Sequence, residues 1–445
     1  MRLRPLVTVA AVTAAMVVAP ASAAPAGRVL GYVANNGGGV SVIDTATNTV
    51  TETVTDSGGS SPYMVDVAFD GRRGYVTNIR DNTLTVIDTP TNSVQTSIPV
   101  GPRPAGVAVA PDGGHVYVTN YDGGSVSVVD VATMAVTATI PVGPNPDGVT
   151  LTPNGLFAYI AHDQSSPSGT VTVLDTTTNT VATTIAVGNT PTAVDVTPDG
   201  SKLLVVNKLS NNVSIVSTAT NAVVGTVGVG ITPHGVAVSP NGARAYVTNS
   251  NSGNVSVIDL ASASVAGTVG VGDRPISVAF TPDGAKAYVT NFNSGTASVI
   301  DTAALAVTAT VPVGVNPVGV AIQFVPPAPT KLVAGNAVLT IRLLGFTVRG
   351  LNAKLTETKT GAPVAGQKVT FTTVKGGKLC SANTDATGVA KCDADVPLLV
   401  GLGTLLQGYT ASFAGNNQHA SSTGHGSIAL LAGGASSVRV VVGRR

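Results

Sequence analysis

The sequence predicts an all-β protein: a seven-bladed β-propeller closed by its N- and C-terminal strands, plus a C-terminal Ig-like β-sandwich. Composition is the first reason, because only 11% of the 445 residues are charged and 4% are aromatic, while Val, Thr, Gly, Asn and Ser are abundant. These residues favour strands and tight turns. The second reason is a motif that recurs in seven copies at intervals of 42 to 45 residues. The third is the end of this period near Phe324, after which strands of other spacing follow.

The recurring motif is a short apolar strand that ends in Asn in six copies and in His in the fourth copy. A fixed period of about 40 residues is the sequence signature of a repeat architecture. The copies are "GYVAN" ending at Asn35, "GYVTN" at Asn78, "VYVTN" at Asn120, "AYIAH" at His162, "LLVVN" at Asn207, and "AYVTN" at Asn249 and at Asn291.

Each copy divides into four short strands separated by turn residues. In the sixth copy the strands are "HGVAVSP", "ARAYVTN", "VSVID" and "VAGTVGVG", and "NG" turns the chain between the first two. Four-stranded units of this length are typical of propeller blades. Several blades must pack together, because one blade cannot bury both of its faces.

The two ends of the repeat region complement each other. The first copy begins at its second strand, "GRVLGYVAN", and an unmatched first strand, "NPVGVAIQF" at 316–324, follows the seventh copy. We therefore expect the last strand to complete the first blade and to close the ring.

The repeated set of "AYVTN", "SVIDTATNTV" and "PDG" resembles the YVTN-repeat family of seven-bladed β-propellers. The resemblance extends from Arg28 to about Phe324. Proteins of this family are exported or surface-layer-type proteins of bacteria and archaea, and most are binding or surface proteins without a settled chemistry. The resemblance therefore implies the fold and says little about the function.

The N-terminus has the features of a cleaved signal peptide, residues 1–23. Arg2 and Arg4 precede an apolar stretch, and "ASA" at 21–23 offers small residues at the cleavage site. The mature chain is then expected to contain no transmembrane span, with the propeller at 24–325 and a Pro-rich linker, "PPAPT", at 326–330.

Residues 331–445 are predicted to form an Ig-like β-sandwich from several short strands. "GAPVAGQKVTF", "TDATGVA" and "YTASFAGN" resemble bacterial Ig-like domains of surface proteins, which implies a spacer or an adhesion module. The two cysteines, Cys380 and Cys392, flank "TDATGV", which we interpret as a hairpin turn. In an exported protein such a pair predicts one disulfide bond.

Residues that recur in nearly every blade are interpreted as structural. Short polar side chains at turns accept backbone N–H groups, and the Asn and Tyr of the motif are assigned to fastening a loop and to packing between blades. The recurring turn residues are Asp44, Asp88, Asp130, Asp175, Asp259 and Asp301, with Ser217 in the fifth copy.

Recognition is expected where the copies differ, since function concentrates in loops on a rigid scaffold. Two loops of each blade meet at one face of the central channel: the loop into the first strand and the loop from the second strand to the third. We call this face the mouth. Plain surface variability is the alternative interpretation. The candidate ligand-binding residues of the mouth are Tyr63, Arg80, Arg103, Tyr121, Asp147, His162, Asp163, Lys208, His234, Arg274 and Phe292.

Two further acids, Asp66 and Asp195, replace small residues at one inward position of the first strand. They are weak candidates for a metal site, and we favour hydrogen bonds to the backbone of a neighbouring blade. The five His residues show no metal-ligand spacing, and no Gly-rich loop opens a helix. We therefore predict no metal and no cofactor.

These observations favour an exported, non-enzymatic and monomeric binding protein, secreted or held at the cell surface, whose Ig-like module is a spacer or adhesion unit. Its partner is an unknown cell-surface glycan, peptide or protein, and a net charge of +1 without a basic run argues against nucleic acid. Two alternatives remain open. One is a hydrolytic propeller enzyme, lactonase- or lyase-like, that uses His162 with Asp163 or His234 with Asp147. The other is a structural component of a surface layer.

Overall fold

The computed structural model describes residues 27–55, 61–164, 168–342, 345–397, 400 and 402–431. The described residues divide into two compact units, one ending at Ala328 and the other beginning at Pro329. The predicted signal peptide, residues 1–23, lies outside the described residues. The all-β prediction is confirmed, because the described residues form only one short α-helix, α1 (Leu402–Leu406).

The first unit is built from short strands of similar length. They are β1 (Arg28–Asn35), β2 (Val40–Asp44), β3 (Thr49–Val54), β4 (Pro62–Val67), β5 (Arg73–Asn78), β6 (Thr83–Asp88), β7 (Ser93–Pro99), β8 (Pro104–Val109), β9 (His115–Asn120), β10 (Ser125–Asp130), β11 (Ala135–Pro141), β12 (Pro146–Leu151), β13 (Phe157–His162), β14 (Gly169–Asp175), β15 (Thr180–Val187), β16 (Pro191–Val196), β17 (Lys202–Asn207), β18 (Asn212–Ser217), β19 (Ala222–Gly228), β20 (Pro233–Val238), β21 (Arg244–Asn249), β22 (Asn254–Asp259), β23 (Ser264–Gly270), β24 (Pro275–Phe280), β25 (Lys286–Asn291), β26 (Thr296–Asp301), β27 (Ala306–Pro312) and β28 (Pro317–Val325).

These strands form four-stranded antiparallel sheets in a β-propeller-like arrangement. The first sheet has the order β28-β1-β2-β3, and the second to seventh sheets each contain the next four strands in sequence order, from β4–β7 to β24–β27. The first sheet thus joins the two ends of the unit, with Arg28 opposite Val325 and Tyr32 opposite Ala321.

One edge strand of each sheet lies toward the middle of the unit, and we call it the inner strand. Each inner strand contacts the inner strands of the preceding and following sheets, including β28 with both β24 and β4. The inner strands are β4, β8, β12, β16, β20, β24 and β28.

Apolar side chains seal the sheets against each other. Each cluster of buried residues in this unit draws on two successive sheets, as when Val171 and Ile185 of the fourth sheet pack with Val205 of the fifth. Val33 and Ile43 of the first sheet pack in the same way against Tyr288 of the seventh. Each fully buried side chain of this size contributes about 1.5–3 kcal/mol, so stability is spread over the contacts between sheets.

The repeated polar residues serve as the sequence predicts. The Asp44 carboxylate accepts the N–H of Ala46 at 2.9 Å, within its own turn. The Asn249 amide donates to Asn254 Oδ1 and Ser256 Oγ at 2.7 and 2.9 Å, which fastens the loop that follows. These residues hold the loops in place and leave recognition to the positions that vary.

The second unit consists of two sheets around a shared core. Its strands are β29 (Thr330–Ala334), β30 (Ala337–Arg342), β31 (Gly345–Glu357), β32 (Lys368–Thr373), β33 (Lys378–Asn383), β34 (Val389–Pro397), β35 (Tyr409–Phe413), β36 (Ser422–Gly426) and β37 (Ile428–Leu431). One sheet has the order β29-β31-β30-β37 with β34 also paired to β31, and the other has the order β33-β32-β35-β36.

The disulfide bond between Cys380 and Cys392 is confirmed. The hairpin expected between these cysteines is wrong, because β33 pairs with β32 in one sheet and β34 pairs with β31 in the other. The segment between them crosses from sheet to sheet, so the disulfide links the two layers of the unit. The Tyr409 hydroxyl also joins the layers, since it donates to Asn352 O at 2.7 Å.

Candidate functional site

The mouth is shaped by a repeated turn in front of each inner strand. The residue before the first Pro of the strand has a positive φ in six sheets: Arg103, Asn145, Thr190, Thr232, Arg274 and Asn316. Its carbonyl accepts the N–H of the first residue after the second strand, for example Arg103 O from Tyr121 N at 2.9 Å and Arg274 O from Phe292 N at 2.9 Å. This bond places the two variable loops of a sheet side by side.

Two cavities lie along the axis of the first unit. The mouth holds a pocket of about 620 Å³, and a channel of about 510 Å³ is lined by the inner strands of all the sheets. His234 lines both, so it lies where the pocket meets the channel. Six of the predicted site residues line the pocket: Tyr63, Arg80, Arg103, His234, Arg274 and Phe292.

Two arginines of the pocket stack on aromatic rings. The Arg103 guanidinium lies 4.5 Å from the Tyr121 ring centroid, and that of Arg274 lies 4.6 Å from the Phe292 ring centroid. Stacking of this kind is attractive and fixes the plane of the guanidinium group while its edge stays free to donate. Arg103 also pairs with Asp122 at 3.3 Å.

The fourth sheet brings an acidic group to the same face. Asp147 is 6% exposed, and no described residue donates a hydrogen bond to its carboxylate. Burial, with the Asp163 charge adding to it, raises the pKa of Asp147 to about 7, although Lys208 and Arg103 act in the opposite direction.

Two tyrosines complete this acidic group. Tyr121 donates to Asp163 Oδ2 at 3.4 Å, and burial together with the charges of Asp163 and Asp147 raises the pKa of Tyr121 to about 12. Burial and the same two carboxylates, Asp147 first, raise the pKa of Tyr63. Both hydroxyls therefore remain protonated donors at neutral pH and face the carboxylates.

His234 is neutral at physiological pH. Burial lowers its pKa to about 4, and the charges of Lys208 and Arg274 act in the same direction. Its Nδ1 atom is buried and has no hydrogen-bond partner among the described residues. No hydrogen bond joins the described atoms of His234 to those of Asp147, the partner proposed from the sequence.

His162 is buried rather than presented to the mouth, with 2% of its surface exposed. Its Nδ1 lies 2.9 Å from Pro144 O and its Nε2 lies 2.8 Å from Thr172 Oγ1. These contacts fasten the loop as the repeat Asn does in other sheets. Because both ring nitrogens are occupied, His162 is not free to act as a base with Asp163. In the repeat, His162 occupies the position of the motif Asn. This position was the signal in the sequence that His162 fastens a loop.

Asp66 and Asp195 are structural, as the sequence favoured. Asp66 accepts the N–H groups of Val67 and, from the next sheet, Val109, both at 2.8 Å. Asp195 accepts those of Val196 at 2.9 Å and Val238 of the next sheet at 2.7 Å. Within the residues that the structure describes, no three His, Cys, Asp or Glu side chains are grouped to hold a metal ion.

The sequence missed several residues of the pocket. Asp122 follows Tyr121 in the same loop and pairs with Arg103, and Asn82 Oδ1 accepts the N–H of Arg103 at 2.7 Å. The prediction took one residue from each such loop, the second residue in the case of Arg80 and the first in the others, so the neighbouring positions were overlooked. Apolar Ile276 and Val318 also line the pocket.

Comparison with known proteins gives a partial family match and many similar folds, two of which are described below. Residues 96–276 match the choice-of-anchor I domain. No curated protein sequence matches the chain. Within the described residues, no helix is long and apolar enough to cross a membrane.

The two solved structures support the propeller-like fold. Hydrazine synthase of Kuenenia stuttgartiensis is 23% identical with a TM-score of 0.54, covering 58% of this chain and 89% of its own. A functionally unknown protein from Desulfotomaculum acetoxidans is 20% identical with a TM-score of 0.59, covering 66% of this chain and 99% of its own. At these identities the likeness concerns the fold alone.

Proposed function

We propose that this protein is an exported, non-enzymatic binding protein whose mouth attaches to a component of the cell surface. The observation that carries the proposal is the convergence of variable charged and aromatic side chains from several sheets on one pocket of about 620 Å³. This volume lies within the range of small-molecule sites. The choice-of-anchor match supports attachment at a surface.

The finer architecture belongs to the same proposal. The first unit is a closed seven-bladed propeller of the YVTN type, supported by the pairing of β1 with β28 and by contacts between all successive inner strands. The second unit is an Ig-like spacer or adhesion module, supported by its two sheets and cross-sheet disulfide. Residues 1–23 direct export. The Cys380–Cys392 disulfide bond supports export, because disulfides form and persist in oxidising compartments.

Catalysis at the mouth is less well supported than binding. Neither of the two acid/base pairs considered from the sequence is joined by a hydrogen bond in the structure. The binding proposal instead requires only that the pocket side chains stay accessible, and Arg80, Arg103 and Arg274 are exposed.

Co-sedimentation of the mature protein with intact producer cells and with cell-wall glycans tests the proposal. We expect the protein to sediment with at least one of them, and we expect Arg103→Ala combined with Arg274→Ala to reduce the bound fraction at least tenfold. The double variant removes both stacked guanidinium groups from the pocket. Exposed Arg72, at the β4–β5 turn, provides the matched control, Arg72→Ala.

Equal sedimentation of the double variant and the control would contradict the proposal, because binding would then not use the mouth. Light scattering of the purified chain addresses the surface-layer alternative. Concentration-dependent self-association in the absence of cells would favour a structural array over a binding protein.

A further inference from the structure

The pocket of the mouth is lined by more arginines than carboxylates. Arg80, Arg103 and Arg274 all line the pocket of about 620 Å³, whereas Asp122 is the one carboxylate of the described residues that does so. Asp122 pairs with Arg103. In the described part of the chain, Arg80 and Arg274 form no ion pair, so the pocket has an excess of cationic donors.

Arg103 and Arg274 are held by the same construction in two different sheets. Each has a positive φ, 52° and 53°, and each precedes the first Pro of an inner strand. Each guanidinium also stacks on the aromatic residue whose N–H its own carbonyl accepts. Two unconnected loops therefore deliver a guanidinium group to one pocket in a fixed orientation.

Arginine is not what the local backbone favours at this position. A positive φ is tolerated best by Gly and Asn, and a following Pro restricts the residue before it. In four other sheets the position is occupied by Asn145, Thr190, Thr232 and Asn316. The same positive φ belongs to the repeated turn of all six sheets, so what distinguishes Arg103 and Arg274 is that their guanidinium groups stack on aromatic rings and line the pocket.

The inner end of the pocket is lined by an imidazole ring. His234 lines the pocket, and its buried Nδ1 makes no hydrogen bond with any described residue. Its pKa, lowered to about 4 by burial and by the charges of Lys208 and Arg274, keeps the ring neutral. A neutral imidazole can donate one hydrogen bond and accept another, so it can meet a ligand without adding charge.

We propose that the ligand of the mouth is a small polyanion, about the size of a disaccharide, whose carboxylate or phosphate oxygens are bound by Arg80, Arg103 and Arg274. Guanidinium groups bind such oxyanions through paired N–H donors. The faces of Tyr63 and Phe292 provide apolar walls for the body of the ligand. This inference rests on the proposed binding function and names the ligand class.

Isothermal titration of the full mature chain tests the inference, because the chain contains no Trp for intrinsic fluorescence. The probes are digalacturonic acid as a carboxylate source, a glycerol phosphate dimer as a phosphate source, and the neutral disaccharide maltose. We expect one of the anionic probes to bind at least tenfold more tightly than maltose, with an affinity that falls as the salt concentration rises.

Variants of single arginines locate the site. Arg274→Gln and Arg80→Gln should each weaken binding of the anionic probe about tenfold, and Arg274→Lys should give an intermediate loss because a lysine donates as a point charge. Phe292→Leu should weaken binding of the anionic probe less than Arg274→Gln does, since it removes the ring on which Arg274 stacks and keeps the guanidinium group. Arg72→Gln removes an exposed arginine from the opposite end of the second sheet and should leave the affinity unchanged.

Three outcomes would overturn the inference: neither anionic probe binds at millimolar concentration, maltose binds as tightly as both, or Arg80→Gln and Arg274→Gln bind the probe like Arg72→Gln. The binding function is judged separately by co-sedimentation. If cells are bound through the mouth but acidic saccharides compete no better than maltose, the ligand class is wrong and the binding function stands.

Discussion

Three carboxyl groups of the channel are chemically alike but have different surroundings. Asp66 and Asp195 each accept two backbone N–H groups, whereas no described residue donates to Asp147. Burial raises the pKa of Asp66 and Asp195 to about 6 against these hydrogen bonds, and that of Asp147 to about 7. The first two residues hold sheets together, whereas the carboxylate of Asp147 has no described donor.

Asp147→Asn should stabilise the protein at pH 8, and the gain should shrink as the pH falls. The pKa of Asp147 in the folded state, about 7, lies above the value of about 3.9 in an unfolded chain. Its protonation therefore stabilises the fold fully below about pH 4, and this contribution is lost as the pH rises through 7. The shift corresponds to at most about 4 kcal/mol. Urea unfolding at pH 8, 6 and 4 measures the difference.

Asp66→Asn provides the contrast at the same pH values. An amide oxygen can replace one of the two acceptors, but its NH₂ group then faces the N–H of a backbone, so we expect a loss of about 1–3 kcal/mol. If Asp66→Asn and Asp147→Asn raised the free energy of unfolding equally at pH 8, the hydrogen bonds to Asp66 would not be stabilising.

At the level of elements, tyrosine hydroxyls join some of the sheets to the turn of the next sheet. Tyr32 donates to Asn92 at 3.0 Å and Tyr288 donates to Asn48 at 2.6 Å, so the seventh sheet is tied to the first as the first is to the second. The buried hydroxyls of Tyr75 and Tyr246 have no acceptor among the described residues, although each lies beside an arginine donor, Arg73 and Arg244 respectively. The positions that correspond to the acceptor Asn in the next sheets are Met134 and Leu305, both with a positive φ.

Met134→Asn and Leu305→Asn should each stabilise the protein by about 0.5–1.5 kcal/mol. The new amide would accept the orphan hydroxyl, and Asn tolerates a positive φ better than Met or Leu. Some apolar packing is lost in exchange, because Met134 and Leu305 pack against core clusters. Thermal unfolding followed by circular dichroism measures the effect.

Ala263→Asn separates the two causes. Ala263 has the same positive φ of 51°, but the fifth sheet carries Leu204 where the tyrosine stands in other sheets, so there is no hydroxyl to accept. An equal rise in melting temperature for all three variants would mean that backbone preference alone is responsible.

At the scale of the whole molecule, β28 contacts strands of three different sheets. It pairs with β1, and it contacts β24 and β4 as an inner strand. Val320 in β28 belongs to the cluster that seals the seventh sheet to the first. One strand thus completes both a sheet and the succession of contacts around the channel.

A chain that ends at Val315 should therefore lose cooperative folding, while a chain that ends at Ala328 should keep it. The shorter chain leaves β1 without its inner partner and exposes apolar surface, so we expect its melting temperature to fall by more than about 10 °C or the chain to aggregate. The longer chain removes only the second unit. Similar melting curves for the two chains would refute a closing role for β28.

The sequence by itself determined the local features of this protein. The strands, the Asp turns and the loop-fastening Asn residues follow from hydrogen-bonding and turn preferences of residues a few positions apart. The repeat revealed them because the same local signals recur, and the unmatched strand at 316–324 predicted the pairing of β28 with β1. The disulfide between Cys380 and Cys392 also followed from the sequence.

Only the tertiary structure decided how the variable residues act. His162 is buried with both ring nitrogens occupied, Asp147 lacks the donors that Asp66 has, and the cysteine segment crosses between sheets. Asp122 enters the pocket through its pairing with Arg103. The physical reason is that desolvation and charge proximity depend on side chains from sheets far apart in the chain, which no local pattern encodes.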